Sequence, residues 1–336
     1  MIKHGHGGDI KAFAKEVNCA VDEVIDLSSN INFLQPKQDI NFNTLEISAY
    51  PNYDDLYEAI AKNYHINIEQ IELFNGATTA IYALFRELGL NHCTLYAPCY
   101  GEYQKSAELY GYTIEYINRF DGINSVPKEN SLVIFVNPST PDGKFYQIDE
   151  LMRVWKEKGC TILIDESFLD FTPFESAIKY LDYPKLYILK SMTKFYSSAG
   201  VRIGAVVSNQ KSIKKLKKSE PLWKISEFDS HYLQSALRDK TFPQKSRTIN
   251  DEHRSYLIEI LKKSDLIEKV YPSSANFVLV KLKNINATAF QERLKKDKIM
   301  VRDCENFDFL DESFVRIAVK EMQVLKILEN ILDDCY

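Results

Sequence analysis

A lysine, Lys194, stands among small and hydroxylated residues in the stretch 191–202, SMTKFYSSAGVR, just past an apolar run at 186–189. Upstream, Asp165 ends another apolar run, 161–164. A lone lysine would be a surface charge. A lysine after one buried strand and an aspartate at the end of another suggest a cofactor site. Two chemistries fit this pattern. In one, the lysine amine forms a Schiff base. In the other, the lysine binds a phosphate beside serine and threonine hydroxyls.

Those residues need a frame, and short apolar strands alternating with helical patterns supply one. In 73–79, LFNGATT, Gly76 and Ala77 lead into the helical positions Ala80, Ile81, Leu84, Phe85 and Leu88. Free backbone N–H groups at such a helix start bind anions, and the Thr78 hydroxyl adds a donor. Threonine is also a common cap, so this signal is weak by itself. A strand at 93–97 is followed by PCYGEY, which places Tyr100 at the mouth of a sheet, either to stack on a flat ring or to seal the core. The apolar strand 132–136 ends in NPSTPDG at 137–143, where two prolines and a glycine impose a rigid turn. A helix from about 147 to 158 and strands at 161–164, 186–189 and 203–207 follow. The alternation predicts an α/β protein, with a three-layer α/β/α large domain around a mostly parallel mixed sheet. Ligands gather at the carboxyl ends of such strands, and Thr140, Asp165 and Lys194 all follow strands.

Past Ser208 the pattern changes. A charged helix at 209–218 precedes a long helical region, 229–263, with a break near Phe242 and Pro243. Strand patterns at 270–280, 300–302 and 313–318 alternate with helices at 287–296 and 324–332. This reads as a smaller α/β domain. The expected division is 45–228 for the large domain, with 1–44 and 229–336 forming the small one.

Composition narrows the function. The 336 residues are 45% hydrophobic, enough for a large core. The 42 basic and 47 acidic residues give a net charge of -5, which argues against a nucleic-acid partner. The run KSIKKLKK at 211–218 is read as the solvated face of a helix. Six cysteines, at 19, 93, 99, 160, 304 and 335, form no CxxC pair, as expected of reduced thiols in a cytoplasmic protein. No apolar run approaches the roughly 18 residues of a membrane span. The opening MIKHGHGGDI lacks the apolar core of a signal peptide. His4 and His6 have no carboxylate or cysteine cluster at ligand spacing, so no metal is expected.

A pyridoxal phosphate site needs an amine, a carboxylate for the pyridine nitrogen, an anion cradle, a flat group against the ring, and a cation for the substrate's carboxylate. Lys194, Asp165, the helix start at 76–78 with Arg202, Tyr100 and Arg316 can supply these in turn. The Walker GxxxxGK[ST], the GxGxxG dinucleotide turn and the GxSxG elbow are all absent.

The chain resembles the fold-type I pyridoxal-phosphate enzymes, and among them the histidinol-phosphate aminotransferases and threonine-phosphate decarboxylases. The matching pieces run in the family's order: YPN at 50–52, NGATT at 75–79, APCYGEY at 97–103, NPSTPDG at 137–143, DESF at 165–168, SMTK at 191–194 with AGVRIG at 199–204, PSSANFVLV at 272–280 and VRIAV at 315–319. The resemblance implies that Lys194 bonds the cofactor and shuttles protons. It pairs Asp165 with the pyridine nitrogen and stacks Tyr100 on the ring. Gly76, Ala77, Thr78, Ser191 and Arg202 would hold the cofactor's phosphate. Tyr50 would reach the phosphate of a neighbouring subunit, implying a homodimer. Arg316 would clamp the substrate's carboxylate. His6 and Asn32, from HGHGGD and LSSNIN, match positions that face a substrate phosphate.

Two departures concern one cofactor oxygen. The family's asparagine and tyrosine that donate to the phenolic oxygen fall on Thr140 and Phe168 here. Threonine can still donate, whereas phenylalanine cannot. The resemblance therefore implies a raised pKa for the lysine–cofactor linkage. Asp142 stands where the family has threonine, Asp9 replaces an asparagine, and Phe33 replaces a proline. An acid at position 9 disfavours a substrate phosphate nearby. The expected activity is transamination between a small-molecule amine, an amino acid or amino-alcohol phosphate, and a 2-oxo acid. Decarboxylation, another reaction of the same carbanion, and a relative without catalysis are the alternatives.

Overall fold

A computed structural model describes residues 7–333. In chain order the elements are α1 (Ile10–Glu16), β1 (Ile25–Asp26), α2 (Asp54–Tyr64), β2 (Ile71–Asn75), α3 (Ala77–Leu88), β3 (His92–Ala97), α4 (Glu102–Leu109), β4 (Thr113–Asn118), β5 (Leu132–Val136), α5 (Asp149–Glu157), β6 (Thr161–Asp165), β7 (Leu186–Ser191), α6 (Met192–Phe195) and β8 (Ile203–Ser208). They continue with α7 (Gln210–Lys218), α8 (Glu227–Arg238), α9 (Phe242–Lys263), β9 (Ile267–Val270), β10 (Phe277–Leu282), α10 (Ala287–Lys295), β11 (Ile299–Met300), β12 (Arg302–Asp303), β13 (Phe314–Ala318) and α11 (Met322–Asp333).

Seven strands form the main sheet in the order β2-β8-β7-β6-β5-β3-β4. The ladders from β7 through β6, β5 and β3 to β4 are parallel, while β8 runs antiparallel to both β2 and β7. Alternate side chains of one strand enter opposite cores, as the pleat requires. Val133 and Phe135 of β5 join the cluster of Trp155 and Leu56, while Leu132, Ile134 and Val136 join that of Phe85 and Ala107. Both faces are thus covered, and the unbroken apolar runs follow from that. Each fully buried side chain of this size contributes about 1.5–3 kcal/mol.

One buried ion pair interrupts this apolar interior. Lys190 of β7 bonds Glu166, which also accepts from the Ser176 hydroxyl and the Ala177 N–H, each at 2.6 Å. The Lys190 ammonium lies 4.4 Å from the Tyr64 ring centroid. Both charges of this pair are thus partnered, as desolvation demands.

A second sheet, β12-β13-β10-β9, is antiparallel, and β1 pairs in parallel with β11. The N-terminal strand is tied to the C-terminal part by that pairing and by Ala318 N–H donating to Leu27 O at 2.8 Å. Leu27 shares an apolar cluster with Leu257, Val278, Ile317 and Leu325. The strand expected at 300–302 is two strands with different partners, divided at Val301. The break expected in the long helical region separates α8 from α9. Asp239 accepts from the N–H groups of Thr241 and Phe242 and closes that turn. Among the described residues no helix is long and apolar enough to cross a membrane.

Candidate active site

The site begins at the start of α3. Its cap, Gly76, has φ 82° and makes no side-chain cap bond, so the first N–H groups of the helix have no capping acceptor. A Cβ on Gly76 would lie 2.6 Å from Nη2 of Arg202, and one on Gly204 would lie 2.4 Å from Ala77 N. Glycine at both positions lets a guanidinium and a neighbouring strand approach the helix start. Arg202 is held there by Nη1 donating to Ala199 O at 2.9 Å. Thr78 Oγ1 lies 3.3 Å from the Tyr100 hydroxyl, and Ser191 Oγ lies 3.0 Å from Thr193 Oγ1. Helix-start N–H groups, hydroxyls and a guanidinium make an anion cradle.

Asp165 ends β6 and is 5% exposed. Its Oδ1 accepts from Ser167 N–H at 2.9 Å and Ser167 Oγ at 2.5 Å, and its Oδ2 accepts from the Tyr103 hydroxyl at 2.8 Å. Burial pushes its carboxyl pKa up, and the bonds from Ser167 and Tyr103 oppose that shift. Tyr103 and Ser167 were not singled out from sequence. The signal for Tyr103 was present, since it lies one helical turn beyond Tyr100.

Lys194 sits in the single turn of α6, directly after β7. Burial first, then the charges of Arg316 and Arg202, lower its ammonium pKa to about 8, with Asp165 opposing them. An amine poised near neutrality is what nucleophilic attack and proton transfer at physiological pH require. Three cations around one carboxylate leave the site with excess positive charge, suited to anionic ligands.

Arg316 reaches the site from β13. Its Nη1 donates to Thr140 Oγ1 at 3.1 Å and its Nη2 to Ser28 O at 3.2 Å. The guanidinium lies 5.0 Å from the Phe277 ring centroid, and Phe168 packs edge-on to that ring at 5.0 Å. Burial lowers the Arg316 pKa to about 10. Arg302 of β12 lies directly across the ladder from Arg316 and is also buried. It was missed because a two-residue strand carries no periodic signal. Asn137 closes the 137–143 turn, exchanging bonds with Tyr146 N–H and Tyr146 O. Asp142 is buried under that turn. It accepts from Ser139, and Arg119 is the nearby charge that counters its desolvation.

Three expected positions differ from the rest. Asn32, read from sequence as facing a substrate phosphate, is turned into the interior. Its Nδ2 donates to Phe195 O at 2.8 Å and Ser246 Oγ at 2.7 Å, while Oδ1 accepts from Leu34 N–H at 3.1 Å. With its amide hydrogens and oxygen used this way, it anchors the segment behind Lys194, whose carbonyl accepts from Asn32 N–H at 3.0 Å. Tyr50 is 75% exposed and stacks on Trp223 with centroids 4.0 Å apart. His6 lies outside the described residues. Asp9 accepts from Ala12 N–H and caps α1.

These residues fit pyridoxal phosphate. The cradle that a Cβ would fill suits its phosphate, Tyr100 suits the ring, Asp165 suits the pyridine nitrogen, and Lys194 suits its aldehyde. Fold and site together define a pyridoxal-phosphate-dependent enzyme of fold type I. The family described as Aminotransferase class I and II matches residues 22–331, and the chain belongs to that family. It is 29% identical over 338 residues to the adenosylcobalamin biosynthesis bifunctional protein CobDQ of Leptospira interrogans, covering 94% of this chain but 39% of that protein. It is 25% identical over 359 residues to the threonine-phosphate decarboxylase of Salmonella typhimurium, covering 99% of this chain and 98% of that one. The crystal structure of histidinol-phosphate aminotransferase from Clostridium acetobutylicum superposes with a TM-score of 0.80 at 27% identity, covering 93% of this chain and 98% of that one.

Proposed function

We propose that this protein is an aminotransferase acting on an amino acid or amino-alcohol phosphate and a 2-oxo acid. The observation that carries this reading is the grouping of Lys194 with Arg316, Arg202 and Asp165, which together set the acidity of its amine. Pyridoxal phosphate supplies an electron-accepting ring joined to the substrate's nitrogen. The protein does the rest. Arg316 binds the substrate's anionic group, the carboxylate of an amino acid or the phosphate of an amino-alcohol phosphate. Asp165 holds the pyridine nitrogen's proton, and Lys194 moves a proton at the substrate's α-carbon. Gly76, Ala77, Thr78, Ser191 and Arg202 hold the phosphate, and Tyr100 lies against the ring. Arg302 beside Arg316 supports a substrate with a second anionic group.

Decarboxylation is the second reading, supported by the likeness to the Salmonella decarboxylase along nearly the whole of both chains. Mixing the purified protein and pyridoxal phosphate with histidinol phosphate, threonine phosphate and single amino acids separates the two. A transaminase converts the visible band to a near-ultraviolet one, and a 2-oxo acid restores it. Carbon dioxide release with the visible band kept through turnover establishes the decarboxylase. Absence of any visible band overturns both.

The proposal includes a homodimer in which Tyr50 reaches its partner's cofactor phosphate. The exposed apolar side chains Phe42, Ile47, Tyr50, Leu222 and Trp223 support such a covered face. It also takes residues 45–228 as the cofactor-holding domain and the cytoplasm as the location. The free state of all five described cysteines is consistent with that compartment.

A further inference from the structure

Tyr103 has no part in the roles assigned so far. Its side chain is fully buried on the first turn of α4, and its hydroxyl makes the 2.8 Å bond to Asp165 Oδ2. An ionised carboxylate offers about four lone-pair sites. Ser167 fills two on Oδ1 and Tyr103 fills one on Oδ2. The remaining site on Oδ2 is the one left for an N–H donor. Tyr103 also meets the Tyr100 ring edge-on, with centroids 6.4 Å apart and planes at 89°. The segment that enters α4 and its first turn therefore carry both the ring proposed to lie against the cofactor's face, Tyr100, and the hydroxyl behind the carboxylate, Tyr103.

We infer that Tyr103 is a positioning residue for the cofactor's pyridine nitrogen, holding Asp165 ionised and fixing the direction of its open lone pair. The inference rests on the pyridoxal phosphate reading of the site. The groups that face Asp165 support it. Glu166, its neighbour in sequence, pushes its pKa up, as burial does. Lys194 of α6 is within its electrostatic reach. The Cys99 thiol, between β3 and α4, is held up at about 12 by burial and stays neutral. Tyr103 itself has its pKa raised well above the phenol range by burial and by Asp165, so it remains a donor. Among the described residues, the hydroxyls of Tyr103 and Ser167 and the Ser167 N–H are the hydrogen-bond donors that hold the carboxylate in its charged form.

The test measures the dissociation constant of pyridoxal phosphate against pH, from the visible band, for the wild type, Tyr103→Phe and Ser167→Ala. A hydrogen bond to a buried charge is worth roughly a tenfold or greater effect. Tyr103→Phe is expected to weaken cofactor binding about 10-fold at neutral pH, and to raise the pH below which affinity falls, because Asp165 then protonates sooner. Ser167→Ala is expected to move the fall in the same direction. Incorporation of 3-fluorotyrosine at position 103, which keeps the shape and strengthens the donor, is expected to lower it. This third protein decides the matter if Tyr103→Phe does not fold. A wild type that binds cofactor beside a Tyr103→Phe protein with the same constant and pH profile overturns the role of Tyr103 alone. A fluorinated protein whose profile is unmoved overturns it equally. A wild type that forms no visible band overturns the cofactor reading and this inference together.

Discussion

Arg316 on β13 donates to the hydroxyl of Thr140 in the turn after β5, across 3.1 Å. This bond ties the second sheet to the turn after β5, at the point where the proposed substrate carboxylate and cofactor oxygen would meet. Because Thr140 Oγ1 accepts from Arg316, its own proton is directed elsewhere and is available to donate. The residue that replaces the family's asparagine thus keeps one of that residue's capacities. Phe168 keeps none, since its ring is packed against Phe277.

The visible band is therefore expected to titrate at a higher pH than in relatives with asparagine and tyrosine at these positions. Phe168→Tyr is expected to lower the midpoint by about one unit by restoring a donor to the deprotonated linkage. Thr140→Val is expected to raise it. Spectrophotometric titration of each loaded variant reads the result, and a Phe168→Tyr midpoint unchanged from wild type would refute the argument.

With its pKa lowered to about 8, Lys194 is expected to react as the neutral amine. The rate at which added pyridoxal phosphate forms the visible band should rise as pH passes through that value and then level off. After burial, Arg316 is the largest cause of the lowered pKa. Arg316→Gln removes a positive charge, so the amine becomes more basic and the rate profile moves to higher pH. The same variant should raise KM for the amine substrate about 10- to 100-fold, through loss of a charge-assisted bond. Stopped-flow absorbance across pH tests the first effect and steady-state kinetics the second.

Gly143 stands at φ 74°, and a Cβ there would lie 2.1 Å from Ser273 Oγ. Its carbonyl accepts from Ser274 N–H at 2.7 Å, so the 137–143 turn and the 272–276 loop are in direct contact. Gly143→Ala is expected to cost about 1–3 kcal/mol, through backbone strain and the steric conflict. Adding Ser273→Ala should recover only part of this, because the strain at φ remains. Thermal denaturation of the single and double variants provides the comparison.

The Trp223 ring lies against Tyr50 on an exposed apolar face. If that face is the proposed dimer contact, Trp223→Glu places a charge in it and should yield monomers in sedimentation velocity at micromolar concentration. Cofactor affinity should fall with it, because Tyr50 can no longer reach a partner's phosphate. A variant that sediments as the wild type does would remove this face from consideration.

Much of the seven-stranded sheet was legible because its strands are buried on both faces and read as unbroken apolar runs between glycine and proline signals. The run 132–136 corresponds to β5 as it stands. The residues proposed to hold the cofactor stood out for a related reason. Chemistry at strand ends falls at abrupt changes from apolar to polar, where Asp165, Thr140 and Lys194 lie. The C-terminal part was less legible. Its strands β11 and β12 have two residues each and take different partners, which no local pattern encodes.

By itself the sequence determined which groups exist and on which side of each strand they emerge, since a pleat alternates and a turn residue acts locally. It therefore carried the lysine, the carboxylate, the anion-binding helix start and the replacement of two donors by Thr140 and Phe168. Tertiary structure decided what each polar group does with its hydrogen bonds, because their partners lie far away along the chain. It turned Asn32 inward to Phe195 and Ser246. It set Arg302 across from Arg316 and placed the Tyr103 hydroxyl on Asp165, 62 residues distant in sequence. A buried donor must find its acceptor wherever the fold brings one, and that choice is made only when the chain closes on itself.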